Sequence, residues 1–168
     1  MAQSARPVVI RPAEPSDADD LARLHVAVWR ATYRDYASAE AVAALDEDRR
    51  RPYWTSLLGS GDANKGAHVA VQGDTILGVV SFGPSDHEIF GGRLEIKHFY
   101  VDPTAQGQGI GRRLLRAVLE QDSNVALAVV AQNEQARAFY RMMGGVEIGT
   151  FIDPGPLWRS DNIVLAWG

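Results

Sequence analysis

Cysteine is absent from all 168 residues. That excludes disulfides, a thiolate nucleophile and any cysteine-ligated zinc or iron–sulfur site. Four histidines, His25, His68, His87 and His98, are scattered without the close spacing of a metal cluster, so no metal is expected. Excess positive charge is also missing. Seventeen basic side chains stand against 21 acidic ones, a net charge of −4. This is the wrong sign for a protein that coats phosphates, so no nucleic-acid partner is expected. No run approaches the roughly 20 apolar residues that span a bilayer. The start, MAQSARPVVIRP, lacks the apolar stretch of a signal peptide and is interrupted by Pro7 and Pro12. A cytoplasmic protein with no membrane partner is the expectation.

What is present is the composition of a globular domain, 46% apolar and 23% charged. The length suits one domain over residues 1–168, and neither repeats nor linkers divide it. Val8–Ile10 reads as a first strand. Ser16 reads as a helix N-cap, with Asp17, Asp19 and Asp20 in the first turn and Leu21, Leu24 and Val28 at helical spacing to about Tyr33. A second helical region, Ala39 to Leu58, is expected to break near Asp46–Pro52 and stop at Gly59. Two strands, Ala67–Val71 and Ile76–Phe82, flank the turn Gln72–Thr75. Then follow a strand (Leu94–Val101), a helix (Gly109–Glu120), a strand (Val125–Val130), a helix (Asn133–Met143) and two strands (Val146–Ile152, Asn162–Trp167). This order predicts a mixed α/β sheet covered on both faces.

The chemistry concentrates where the strand ending Val101-Asp102-Pro103 meets Gln106-Gly107-Gln108-Gly109-Ile110-Gly111-Arg112-Arg113. Glycines allow positive φ and close backbone approach. A new helix N-terminus offers unpaired N–H groups to an anion, with Arg112 and Arg113 beside it. The segment therefore reads as a phosphate site, or as a plain strand-to-helix turn without a ligand. It is not a nucleotide P-loop, which needs Gly-Lys-Ser/Thr at the helix start. Nor is it a dinucleotide fingerprint, which from Gly107 would need glycine at position 112.

Gln106-x-x-Gly109-x-Gly111 after Val101-Asp102-Pro103 resembles the acetyl-CoA signature of the GNAT superfamily of N-acetyltransferases. Asn133-Glu134-Gln135-Ala136-Arg137-Ala138-Phe139-Tyr140, followed by Gly144, resembles a second motif of that family. Ile10-Arg11-Pro12-Ala13 and Trp29…Tyr33 are similar to its N-terminal region. Gly145 departs from the pattern, since many members carry Phe there. The resemblance implies a mixed, mostly antiparallel sheet of about seven strands flanked by about four helices, and a possible homodimer. It implies acetyl-CoA as co-substrate, with its pantetheine arm paired to Phe99, Tyr100 and Val101 and the Phe99 amide on the thioester carbonyl. Gln106, Gly107, Gln108, Gly109, Ile110, Gly111 and Arg112 would hold the pyrophosphate, and Asn133 would bond the arm.

Tyr140 matches the family tyrosine that protonates the leaving thiolate; a phenol of pKa ~10 is still protonated at neutral pH. The alternative is a half-buried structural tyrosine. Glu95 lies four residues before Phe99, so strand alternation puts both on one face. There a carboxylate could deprotonate the amine directly or through water. It could equally be a solvated charge balanced by Lys97. His98 and Asp102 are fallback bases, His98 lying on the opposite face from Glu95 unless a bulge intervenes. Trp29 and Tyr33, one helical turn apart, could line the acceptor pocket with Tyr36, or simply belong to the core. The activity implied is N-acetylation of a primary amine on a small molecule or peptide, by direct attack in a ternary complex. The alternatives are a non-catalytic acyl-CoA sensor and an unrelated phosphate-binding protein.

Overall fold

The computed structural model describes residues 6–156 and 158–168; the first residues of the stretch read as lacking a leader, 1–5, lie outside it. Twelve elements run in the order β1 (Val8–Pro12), α1 (Ala18–Tyr33), α2 (Ala39–Ala44), α3 (Glu47–Gly59), β2 (Gly66–Gln72), β3 (Thr75–Pro84), β4 (Leu94–Val101), α4 (Ile110–Gln121), β5 (Val125–Val130), α5 (Glu134–Met142), β6 (Val146–Asp153) and β7 (Ser160–Trp167). The strands form one sheet, ordered β1-β2-β3-β4-β5-β7-β6. Every pairing is antiparallel except β4 with β5. This is the mixed α/β fold expected, with five helices rather than four because the second helical region is two.

The break in that region falls at Leu45, ahead of Asp46. The Asp46 carboxylate accepts from the Arg49 N–H at 2.8 Å and starts α3. Pro52 sits inside α3 without ending it. It removes one backbone donor, while the fully buried Trp54 anchors the helix two residues on. Ser16 does not cap α1. It lies in a 3-10 turn, Pro15–Asp17, where the Asp17 carboxylate instead accepts from the Glu14 N–H at 2.8 Å and from Arg11 at 2.8 and 3.0 Å.

The two largest buried clusters lie on opposite faces of the sheet. On one, α4 presents Ile110, Leu114, Leu115 and Val118, and α5 presents Phe139 and Tyr140. These meet Ile96, Phe99 and Val101 of β4 and Leu127 and Val129 of β5. On the other, Leu21, Leu24 and Val28 of α1 and Trp54 of α3 meet Val69, Val79 and Tyr100. A Cβ at Gly145 would meet Trp167 Cζ2 at 2.9 Å and the Tyr140 carbonyl at 3.0 Å. The Trp167 indole, whose Nε1 donates to the Met143 carbonyl at 3.0 Å, thus fills the space that a Phe at position 145 would need.

β4 carries a bulge. Phe82 pairs with Ile96 and Ser81 with His98, so Lys97 is the extra residue. The alternation changes phase there: Leu94 and Ile96 share the α4/α5 face with Phe99 and Val101. Glu95 and Phe99 therefore do not share a face. A bulge inverts the parity on which that expectation rested, and Glu95 lies with His98 and Tyr100 instead.

Candidate active site

β4 and β5 pair only at Leu94–Val125, Glu95–Ala126 and Ile96–Leu127. Beyond these three pairs the strands part, while β4 stays bonded to β3 and β5 to β7. The gap opens a cavity of about 500 Å³. Its walls include β4 from Ile96 to Val101, β5 from Leu127 to Val129, and Phe139 and Tyr140 of α5. In the gap the facing strand edges present backbone donors and acceptors that the sheet leaves unused.

At one end of the cavity is the glycine turn. Gly107 and Gly109 adopt φ of +81° and +78°, a region open to glycine and strained for other L residues. Gly109 caps α4, and the first amide to bond within the helix is that of Arg113, to the Gly109 carbonyl at 3.1 Å. The amides of Ile110, Gly111 and Arg112 are left without helical partners beside the positive end of the dipole. Gln106, Gly107, Gly109, Ile110, Gly111 and Arg112 all line the cavity, whereas Gln108 does not. Arg113 is turned away: its Nη1 donates to the Val8 carbonyl at 3.0 Å.

Tyr140 lines the cavity and is 7% exposed. It packs edge-on against Phe99, with ring centroids 6.0 Å apart. Burial pushes its phenol well above the ordinary tyrosine range, so it carries its proton throughout the neutral range. Asn133 lines the same cavity, its Oδ1 accepting from the Ala136 N–H at 3.2 Å. Its side chain also meets the Tyr33 hydroxyl. Tyr33 is in the wall, beside Asn133. Trp29 is not: it is buried with Val26 and Leu45, its ring tilted at 49° to that of Tyr33 with centroids 5.4 Å apart. Of the fallback bases, Asp102 is occupied, accepting from Thr104 N at 2.8 Å and Oγ1 at 2.6 Å. Glu95 is not in the wall and binds Lys97 Nζ at 2.8 Å. His98 is in the wall. Among the described residues no cluster of three or more His, Asp or Glu could hold a metal ion, and no helix is long and apolar enough to cross a membrane.

Behind His98 lies a group that the sequence did not single out. His25, fully buried, accepts from Trp54 Nε1 at 3.2 Å and bonds the Tyr100 hydroxyl at 3.3 Å. Tyr53 stands edge-on to His98 at 4.7 Å and bonds the buried Ser81 at 3.1 Å. Helical spacing with Leu21, Leu24 and Val28 on α1 makes His25 look like core, which it is; only the fold brings it to His98. Desolvation, reinforced by Arg50 and Lys97, lowers His98 to about 3, and desolvation with the neighbouring His98 lowers His25 to about 2. Both are neutral in the fold but become protonated on unfolding below pH ~6.5. The unfolded state then binds more protons, so stability falls as pH drops from ~6.5. Two such groups give a slope of up to about 2.7 kcal/mol per pH unit in urea melts between pH 6 and 4. His98→Gln should about halve it; an unchanged slope would mean that His98 is not held neutral.

Residues 24–144 match the model of the Acetyltransferase (GNAT) family. The chain belongs to this family. It is similar to the uncharacterized N-acetyltransferase YuaI of Bacillus subtilis, 32% identical over 109 residues, which are 64% of this chain and 60% of that protein. It is also similar to the N-alpha-acetyltransferase RimI of Mycobacterium tuberculosis, 44% identical over 57 residues, 33% of this chain and 36% of that one. The chain thus spans less than two thirds of either relative's length. In fold it is similar to Arabidopsis thaliana NAA60 in complex with acetyl-CoA, with a TM-score of 0.71 and 17% identity over 96% of this chain and 99% of that one. In this GNAT chain, the splayed pair of strands and the glycine turn are the features that organise the cavity.

Proposed function

We propose that this GNAT protein transfers the acetyl group of acetyl-CoA to a primary amine of a small molecule or peptide, by direct attack with both substrates bound. The observation that carries the reading is one cavity joining three things: unused strand edges, the free amides of α4 and the protonated Tyr140. An extended amide-bearing arm matches the gap between β4 and β5, and a pyrophosphate matches the turn. Phe99, Tyr100 and Val101 would hold the arm with Asn133, and Gln106, Gly107 and Gly109 to Arg112 the phosphates. Acetyl-CoA supplies the activated acetyl group as a thioester.

The remaining work falls to the chain. The Phe99 amide donates to the carbonyl oxygen as charge builds there. The amine nitrogen forms its bond to the acetyl carbon as the C–S bond breaks, and Tyr140 gives its proton to the departing sulfur. Glu95, on the His98 face and held by Lys97, takes the amine's proton through a water. Tyr33 closes the acceptor side. The lack of cysteine agrees with a route that has no thioester to the enzyme.

The test is thiol release from acetyl-CoA with a panel of amines. Acceleration by at least one amine, with an acetylated product of the expected mass, supports transfer. Release no faster than the amine-free background, in a protein that acetyl-CoA still stabilises, would instead mark a non-catalytic sensor. With an acceptor in hand, Glu95→Gln should depress kcat most at low pH and recover as pH rises, because solvent then supplies the free amine. If Glu95 only attracts a cation, the variant raises KM at every pH with kcat little changed. Superimposable pH profiles of kcat and KM would remove Glu95 from both roles.

A further inference from the structure

His98 and Tyr100 line the cavity, and the hydrogen-bond directions behind them are fixed. Trp54 Nε1 can only donate, so His25 Nδ1, 3.2 Å away, must accept. A neutral imidazole carries one proton, which therefore sits on His25 Nε2 and is donated to the Tyr100 oxygen at 3.3 Å. The Tyr100 hydroxyl is left to donate onward, and His98 Nδ1 receives it across a longer 3.5 Å. His98, neutral in turn, then holds its own proton on Nε2. That atom bonds none of the described residues and is not sealed from solvent, in a residue that lines the cavity. So the relay Trp54–His25–Tyr100 makes His98 a hydrogen-bond donor toward the acceptor, not a base.

A second observation points the same way. Arg50, on α3 one turn before Tyr53, does not line the cavity; it is half-buried, and its charge is felt by the wall residues His98 and Tyr100 and by Tyr53. Its Nε is sealed from solvent without a partner, and no acidic side chain of the described residues pairs with it. Glu95, on the same sheet face, is already bound to Lys97. A guanidinium in this state favours an anion brought near it.

We infer that the acceptor carries a carboxylate beside its amine, a free α-amino acid rather than a polyamine or a peptide N-terminus, and that His98 Nε2–H with the field of Arg50 selects it. The amine end of such a molecule falls toward Glu95. This rests on the acetyltransferase reading and narrows it.

The test measures binding, so it stands apart from turnover. In protein saturated with CoA, L-alanine, L-phenylalanine and L-glutamate are titrated beside their amides by calorimetry, with the His98 ring followed by ¹⁵N NMR. At least one acid should bind tighter than its amide by about tenfold or more, the scale of a charge-assisted hydrogen bond. At neutral pH the His98 proton should be on Nε2, and that resonance should move with the acid. Arg50→Gln should erase the preference and Arg50→Lys keep most of it. Equal or absent binding of acids and amides, a preference untouched by Arg50→Gln, or a His98 proton on Nδ1 would overturn the inference. A preference for the acid in a protein that acetylates no amine would keep the carboxylate site and discard the acetyltransferase. Turnover with amides preferred would do the reverse.

Discussion

Tyr140→Phe turns over about 10²–10⁴-fold more slowly than wild type, the usual worth of a general acid, while binding acetyl-CoA about as well. The substitution removes one oxygen from a side chain packed by Phe99, Phe139 and Trp167 at centroid distances of 6.0, 5.5 and 6.2 Å, so the ring and its neighbours stay in place. A thiolate leaving into a partly desolvated cavity otherwise has only water to protonate it. Because burial holds the phenol above its ordinary range, the wild-type rate should not decline through loss of this proton as pH rises to 9. Stopped-assay thiol release gives kcat, and calorimetry with acetyl-CoA gives the affinity. Wild-type turnover in a folded Tyr140→Phe protein would take Tyr140 out of the chemistry.

At the other end of the cavity, Gly109→Asp should lower acetyl-CoA affinity by a factor of order 100 or more and abolish the rise in Tm that a ligand of the folded state produces. Two effects combine, and they can be separated. At φ +78° any side chain is strained, though a Cβ there would meet no other atom within 4 Å. A carboxylate, moreover, sets a negative charge where the pyrophosphate is proposed to lie. Gly109→Asn, which tolerates the left-handed region better than most residues, keeps the bulk without the charge. Thermal shift with and without acetyl-CoA should rank wild type above Asn above Asp. Equal shifts in all three proteins would move the phosphates away from α4.

The chain order of the elements and the glycine turn could be anticipated because both are local, whereas the place of β7 between β5 and β6 could not. Asp102-Pro103 ends a strand, and glycines at 107, 109 and 111 lie just where a helix begins. The face of Glu95 could not be read by simple alternation. Leu94-Glu95-Ile96-Lys97 alternates cleanly, and so does His98-Phe99-Tyr100-Val101, but the two halves are out of phase; the joint at Lys97-His98 is the bulge. Pro52 misled for a different reason: propensity marks it as a breaker, while the burial of Trp54 two residues later outweighs the one lost backbone bond. Periodicity marks His25 only as core, and Arg50 leaves no periodic trace. Their significance comes from β4 meeting both α1 and α3, contacts between residues about seventy and fifty positions apart in sequence. Trp29 and Tyr33 show the limit of helical spacing, which puts the two on one side of α1 but cannot tell which ring reaches the cavity.

Among the described residues only three ladder pairs join the β1–β4 half of the sheet to the β5–β7 half, and this has a mechanical meaning. The two halves are tied elsewhere by the crossover through α4 and by side-chain packing, both of which permit small rotations that a continuous ladder would forbid. The chain alone is therefore a sheet with a seam, its cooperativity weakest along the line where β4 leaves β5. An extended molecule lodged there would act as a missing strand, carrying load from one half to the other. Binding would then raise stiffness across the whole sheet rather than at the pocket alone.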